Sequence, residues 1–178
     1  MTQLALLRAD LRRLYEDLDA RPGGGPPRPL LAALLNPGFQ AVALYRLARA
    51  LHLRGRNTAA WLVAMLNTWL TGADLLPSAS IGPGFVLTHP VGSGSWATVG
   101  RNLRMNGMCQ LGTTADGAPT IGDDVYLGAG SMVIGPVRIG DGAVVGAMAL
   151  VTTDVPPGHR AVGVPARILP PKEARDAA

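Results

Sequence analysis

Residues 121–151 read IGDDVYLGAGSMVIGPVRIGDGAVVGAMALV, and Ile121, Leu127, Val133, Ile139, Val145 and Val151 recur at every sixth position. A six-residue apolar period fits neither the 3.6-residue turn of a helix nor the two-residue alternation of a strand. It is the period of a hexapeptide-repeat parallel β-helix, in which each hexad is one short strand plus a turn and three hexads make one triangular coil. Upstream the beat runs Leu75, Ile81, Leu87, Ser93, Val99, Met105 and Leu111, with Ser93 its only polar member, and extra residues interrupt it between Leu111 and Ile121. Glycine follows the beat residue at Gly82, Gly100, Gly112, Gly122, Gly128, Gly140 and Gly146, where a missing Cβ is expected to let the backbone turn.

Outward from the repeats, the period changes. Leu4, Leu7, Leu11, Leu14, Tyr15 and Leu18 recur at helical spacing and predict an amphipathic helix over residues 2–18. The run RPGGGPPR, residues 21–28, ends it. Asn36 followed by Pro37 is a helix start, and a second helix is expected from there to His52. A third, residues 58–70, is apolar almost all round and is expected to be buried against a partner helix or the first coil. Pro156, Pro157, Pro165, Pro170 and Pro171 predict an extended tail folded back along the solenoid rather than a central strand. The expected division is therefore a helical region over 1–73, a left-handed parallel β-helix over 74–155 and a tail over 156–178, a mainly β fold with an α N-terminal part.

A net charge of +4 and a pI near 10.0 are compatible with an anionic ligand. No Lys/Arg cluster is interleaved with aromatics, so nucleic acid is not expected. The single cysteine, Cys109, rules out a disulfide within the chain and reads as a small core residue, and a cytoplasmic setting is expected. Met1–Ala20 lacks the apolar core of a signal peptide, and Ala59–Leu66 is too short for a membrane span.

His52, His89 and His159 are the only histidines. His52 falls in a helix and His159 in the tail. His89 lies two residues beyond the inward Leu87 and is expected to project from the solenoid wall, where from the residues alone it reads equally as a functional or a structural group.

The segment Asp74–His89 (DLLPSASIGPGFVLTH) resembles the active-site segment of bacterial serine O-acetyltransferases. So do Gly38-Phe39-Gln40-Ala41 with Ala43-Leu44-Tyr45-Arg46, the run IGDDVYLGAGS over 121–131, and Val162-Gly163-Val164-Pro165-Ala166-Arg167-Ile168. The resemblance implies a catalytic pair, His89 as general base and Asp74 as its carboxylate partner. Neutral imidazole suits proton removal from a hydroxyl near pH 7, and a carboxylate fixes its tautomer. The resemblance further implies acetyl-CoA as acyl donor, lying between two solenoids of a homotrimer along Gly112, Ala129, Gly130 and Ala147, with Gly146 read rather as a turn glycine. Arg167, with Arg160 or Lys172, would meet the phosphates, and backbone N–H groups near Leu111–Gly112 would hold the oxyanion. No metal is implied.

This chain departs from the family where free serine is held. The shortened corner loop reads Gly117-Ala118-Pro119 without a histidine, Thr88 stands where the family has aspartate, and Arg28-Pro29-Leu30-Leu31 replaces an acidic motif. Thr88 and Trp96 are the candidate acceptor-site residues. By the same resemblance, the full helical domain that pairs trimers is not expected here, nor, with Asp176-Ala177-Ala178 in place of the terminal isoleucine, is docking of cysteine synthase. A homotrimer is therefore expected, with pairing of trimers left open and no cysteine synthase complex. The readings in play are an acetyl-CoA-dependent O-acetyltransferase acting on serine or a serine-like hydroxyl compound, acyl transfer to a sugar or carrier-bound acceptor, a zinc lyase on the same solenoid, and a non-catalytic scaffold.

Overall fold

The structure is a computed structural model; it describes residues 1–20, 31, 33 and 35–171. Lys172 and the run RPGGGPPR lie outside the described residues. Ahead of the solenoid, the described residues include the helices α1 (Gln3–Asp19), α2 (Pro37–His52) and α3 (Asn57–Thr71). Thr2 caps α1, its hydroxyl accepting from the Ala5 amide, and Asn36 caps α2 by accepting from Phe39. Gly72, in the left-handed region at φ +76°, ends α3.

Among the described residues, fifteen short strands follow. Sheet I stacks β1 (Asp74–Leu75), β4 (Gly94–Ser95), β7 (Gln110–Gly112), β10 (Met132–Ile134) and β13 (Leu150–Val151). Sheet II stacks β2 (Ser80–Ile81), β5 (Thr98–Val99), β8 (Thr120–Ile121) and β11 (Arg138–Ile139). Sheet III stacks β3 (Val86–Leu87), β6 (Arg104–Met105), β9 (Tyr126–Leu127), β12 (Val144–Val145), β14 (Arg160–Val162) and β15 (Arg167–Leu169). Every pairing is parallel except β14 with β15. The three sheets are the walls of a left-handed parallel β-helix. The beat residues fill its interior, Leu75, Leu87, Met105, Leu111, Leu127, Val133, Val145 and Val151 each being at most 1% exposed.

Three sequence expectations change. First, the part of the tail over residues 156–162 extends the solenoid, and only β15 turns back upon it. Val155 bridges Ile139 in parallel and β14 pairs with β12, so the solenoid runs on for another coil before β15 closes it as an antiparallel edge. Val155 and Ala161 continue the buried stack, four and then six positions after Val151; the short interval and its prolines hid the beat. Second, Ser95 rather than Ser93 stands between Leu75 and Leu111 in sheet I. Eight positions separate Leu87 from Ser95 and only four separate Ser95 from Val99, so the turn that carries His89 holds the surplus.

The glycine after the beat residue stands, as expected, where a Cβ would clash, at Gly82, Gly100, Gly122, Gly128 and Gly140; the left-handed position of the turn is a different one. That position comes three after the beat and is held by Gly84, Asn102, Asp124, Gly142, Met108, Gly130 and Met148. The glycine after the beat is needed because coils touch there: a Cβ on Gly128 would stand 2.5 Å from the Ala147 amide nitrogen. Third, two helices bury faces other than those expected. The buried stripe of α1 is Leu6, Asp10 and Leu14. α3 buries small and polar residues, Ala60, Ala64, Asn67 and Thr71, while Trp61, Leu62, Met65, Leu66, Trp69 and Leu70 remain exposed within one chain.

The helices are locked to the first coil through polar groups. The Arg46 guanidinium pairs with Asp10 at 2.8 Å, both fully buried, and donates to the carbonyls of Ile81 and Gly82. Asp10 in turn accepts from the Phe85 amide at 2.9 Å. The Tyr45 hydroxyl donates to Ala79 and accepts from the Ile81 amide. These groups anchor the end of the solenoid that carries Asp74 and His89.

Candidate active site

The corner between sheets III and I is where the chain leaves one coil and enters the next. Down this edge come the His89–Gly92 turn, then Gly107 and Met108, then Ala129 and Gly130, then Ala147 and Met148. Backbone bonds tie the rows together: Gly92 donates to Gly72, Met108 to Val91, Gly130 to Gly107 and Met148 to Ala129. Coils are spaced about 4.8 Å apart, which puts Ala147 about 14 Å from His89 along the edge.

Asp74 opens β1 at this same corner, one coil above the turn of His89. Its amide donates to Ser93 at 2.8 Å. Both side chains are exposed, and among the described residues no hydrogen bond joins them. The topology thus brings both members of the expected pair to one edge while leaving their polar atoms open. Gly107 lies directly beneath His89, since a Cβ there would stand 2.9 Å from the His89 Cβ. The Ser93 hydroxyl donates to the His89 carbonyl at 3.3 Å and steadies the turn. Thr88 directs a buried hydroxyl oxygen that meets no partner among the described residues.

The remaining candidates divide. Ala129 and Ala147 are exposed and Gly130 partly so, all on the His89 edge. Arg167 is exposed at its foot, paired across from Val162 where β15 returns. Gly112 and Trp96 are not on this edge. Gly112 ends β7 and Trp96 follows β4, both at the corner between sheets I and II, with the Trp96 amide donating to Leu111. Trp96 was expected near the face of His89; it stands at the far side of sheet I because the enlarged turn absorbs residues before it. A Cβ on Gly112 would meet only an Ile134 side-chain carbon at 3.7 Å, so no close contact within the chain demands glycine there. Arg160 sits at the start of β14 and donates to the Pro170 carbonyl, away from the edge.

Sequence reasoning missed Gln110 and the Asp10–Arg46 pair. Nothing in the six-residue pattern marks an outward residue such as Gln110. The pair joins residues 36 positions apart in separate helices.

The comparisons place this solenoid of hexads, with its exposed histidine on one edge, in the hexapeptide transferase class. The family described as bacterial transferase hexapeptide (six repeats) matches residues 118–153. The chain is 36% identical over 172 residues to a serine acetyltransferase of Mycobacterium tuberculosis, covering 93% of this chain and 73% of that protein. It is 36% identical over 142 residues to a serine acetyltransferase of Helicobacter pylori, covering 76% of this chain and 83% of that protein. Among solved structures, serine acetyltransferase of Neisseria gonorrhoeae in complex with serine superposes with a TM-score of 0.85 at 32% identity, covering 94% of this chain and 69% of that one. The Brucella abortus enzyme in complex with coenzyme A gives a TM-score of 0.85 at 28% identity, covering 95% and 68%. This chain belongs to the serine acetyltransferase family and is an acyltransferase. Among its described residues, no helix is long and apolar enough to cross a membrane.

Proposed function

We propose that the protein transfers an acetyl group from acetyl-CoA to the hydroxyl of serine or a serine-like small molecule, with His89 as general base. The observation that carries this reading is the shared edge. Asp74 and His89 stand at one end and Arg167 at the other; between them Gly107, Ala129, Gly130 and Ala147 leave the backbone open, flanked by the exposed side chains of Met108 and Met148. A long thioester with a phosphate-bearing end fits such a path, because small residues let it approach the backbone and a guanidinium pairs with phosphate. Relatives determined with serine and with coenzyme A support the same pair of substrates.

The chemistry is direct transfer. His89 takes the proton of the acceptor hydroxyl as its oxygen bonds to the thioester carbonyl carbon. Asp74 orients the imidazole and balances the charge it gains. Collapse breaks the carbon–sulfur bond, and the proton passes to the departing thiolate. Donors for the transient oxyanion are backbone N–H groups near Leu111–Gly112 of a neighbouring copy, since in one chain these lie at the other corner. The functional unit proposed is accordingly a homotrimer, in which the sheet I–II corner of one copy, with Gly112 and Trp96, faces the His89 edge of the next.

His89→Ala tests the reading. Turnover measured by release of free CoA thiol is expected to fall by about 10²- to 10⁴-fold with the melting temperature unchanged, because the side chain is exposed. Near wild-type turnover in that variant would remove His89 from the mechanism.

A further inference from the structure

Asp74, Gly94 and Gln110 stand in register on the outward face of sheet I, one per coil. The middle member has no side chain, and the Gln110 side chain occupies the space so left. It reaches back past its own coil, and its Nε2 donates to the Gly92 carbonyl at 2.6 Å. A Cβ on Gly94 would stand 2.6 Å from the Gln110 Oε1 and 3.4 Å from the Asp74 carbonyl oxygen. The amide therefore lies across a glycine floor directly below Asp74, against the last residue of the turn that begins at His89.

This anchoring fixes which way the amide faces. A carbonyl oxygen only accepts, so the NH₂ group must point at Gly92 and Oε1 must point away from it. Among the described residues Oε1 receives no hydrogen bond in return. A preset acceptor with no protein donor, beside a carboxylate and within one turn of the base, suits a ligand that brings a donor.

We propose that Gln110 determines acceptor specificity. Its Oε1 takes a hydrogen bond from a donor on the acceptor other than the hydroxyl being acylated, whether an ammonium or a second hydroxyl. The proposal rests on the acyl-transfer reading above.

The test compares acceptors that differ in the second donor. With acetyl-CoA as donor, kcat/KM is measured for L-serine, for 3-hydroxypropionate, which lacks the ammonium, and for glycerol, which carries hydroxyls only. Gln110→Leu keeps the shape and removes both polar atoms. The wild type is expected to favour L-serine or glycerol over 3-hydroxypropionate, and Gln110→Leu to reduce that preference by about tenfold or more through the acceptor KM. The KM for acetyl-CoA and the slow hydrolysis of acetyl-CoA without acceptor should stay at wild-type values. A preference unchanged in Gln110→Leu overturns the proposal and leaves the acyl-transfer reading standing. A parallel fall in acceptor-free hydrolysis and in turnover of all three acceptors also overturns it, because it reduces Gln110 to a prop for the turn. Failure of the wild type to acetylate any of the three overturns the proposed function itself, and this inference with it.

Discussion

Gly38 in the first turn of α2 rests on the carbonyl group of Leu87, so closely that a Cβ at Gly38 would fall onto the Leu87 oxygen. Leu87 ends β3, and Thr88 and His89 follow it. The helix therefore packs by its bare backbone against the residue that launches the turn bearing His89. The Gly-Phe-Gln run, legible in the sequence only as a resemblance, acquires here a physical reason.

Gly38→Ala should consequently disturb both stability and catalysis. Both atoms that would clash belong to backbone, so neither can swing aside, and overpacking of this kind costs about 1–3 kcal/mol. The expected result is a lowered melting temperature together with a fall in kcat, read by thermal unfolding and thiol release. A variant with wild-type values of both would show that the contact does not position the turn.

Enlarging the small residues of the His89 edge should separate donor binding from folding. Ala147 and Ala129 are exposed, so Ala147→Leu leaves the interior untouched. It is expected to raise the KM for acetyl-CoA by about tenfold or more, equivalent to roughly 1.4 kcal/mol of lost binding, with the acceptor KM and the melting temperature preserved. An unchanged KM for acetyl-CoA would route the donor elsewhere.

How far the sequence could be read follows from what sets each feature. The beat was legible because every coil must bury one aliphatic residue per wall, and Leu127, Val133 and Ile139 do so without exception. It failed where coils change length. Ser93 and Ser95 are both buried and both small and polar, so no residue type showed which one joins the stack. The coil of Val155 and Ala161 is short by two positions and carries Pro156 and Pro157. Asp74 and His89 were found through a motif, and their shared edge follows from the winding. Gln110 stayed hidden because its role depends on a bare glycine one coil away.

Cys109 should behave as an inert thiol. It is completely buried, and that burial holds its pKa above the ordinary value of 9.0, with Ser131 acting in the opposite, lesser sense. Since the thiolate is the nucleophile, a disulfide reagent at neutral pH is expected to label the native protein very slowly and the denatured protein fully. A raised folded value means that the unfolded chain ionises first. The contribution of this group to stability is therefore complete below about pH 9 and is lost as pH rises through the higher folded value. Rapid labelling of the folded protein would contradict the burial.

The Asp10–Arg46 pair should prove more costly to halve than to remove. Asp10 is held between competing effects. Burial pushes its carboxyl upward, and the Arg46 guanidinium with the amides of Phe85 and Gly84 pulls it back. Arg46→Met leaves Asp10 buried without its cation, and Asp10→Leu leaves the guanidinium with only the Ile81 and Gly82 carbonyls. Each single change is expected to destabilise the fold by about 3–5 kcal/mol, whereas replacing both by apolar residues of similar size is expected to cost far less than the sum. Chemical denaturation of the two single variants and the double variant measures the coupling. Additive losses would mean that each group serves its backbone partners independently. A double variant close to the wild type would mean that the pair is kept for orientation, fixing how α1 and α2 seat on the coil from which the His89 turn departs.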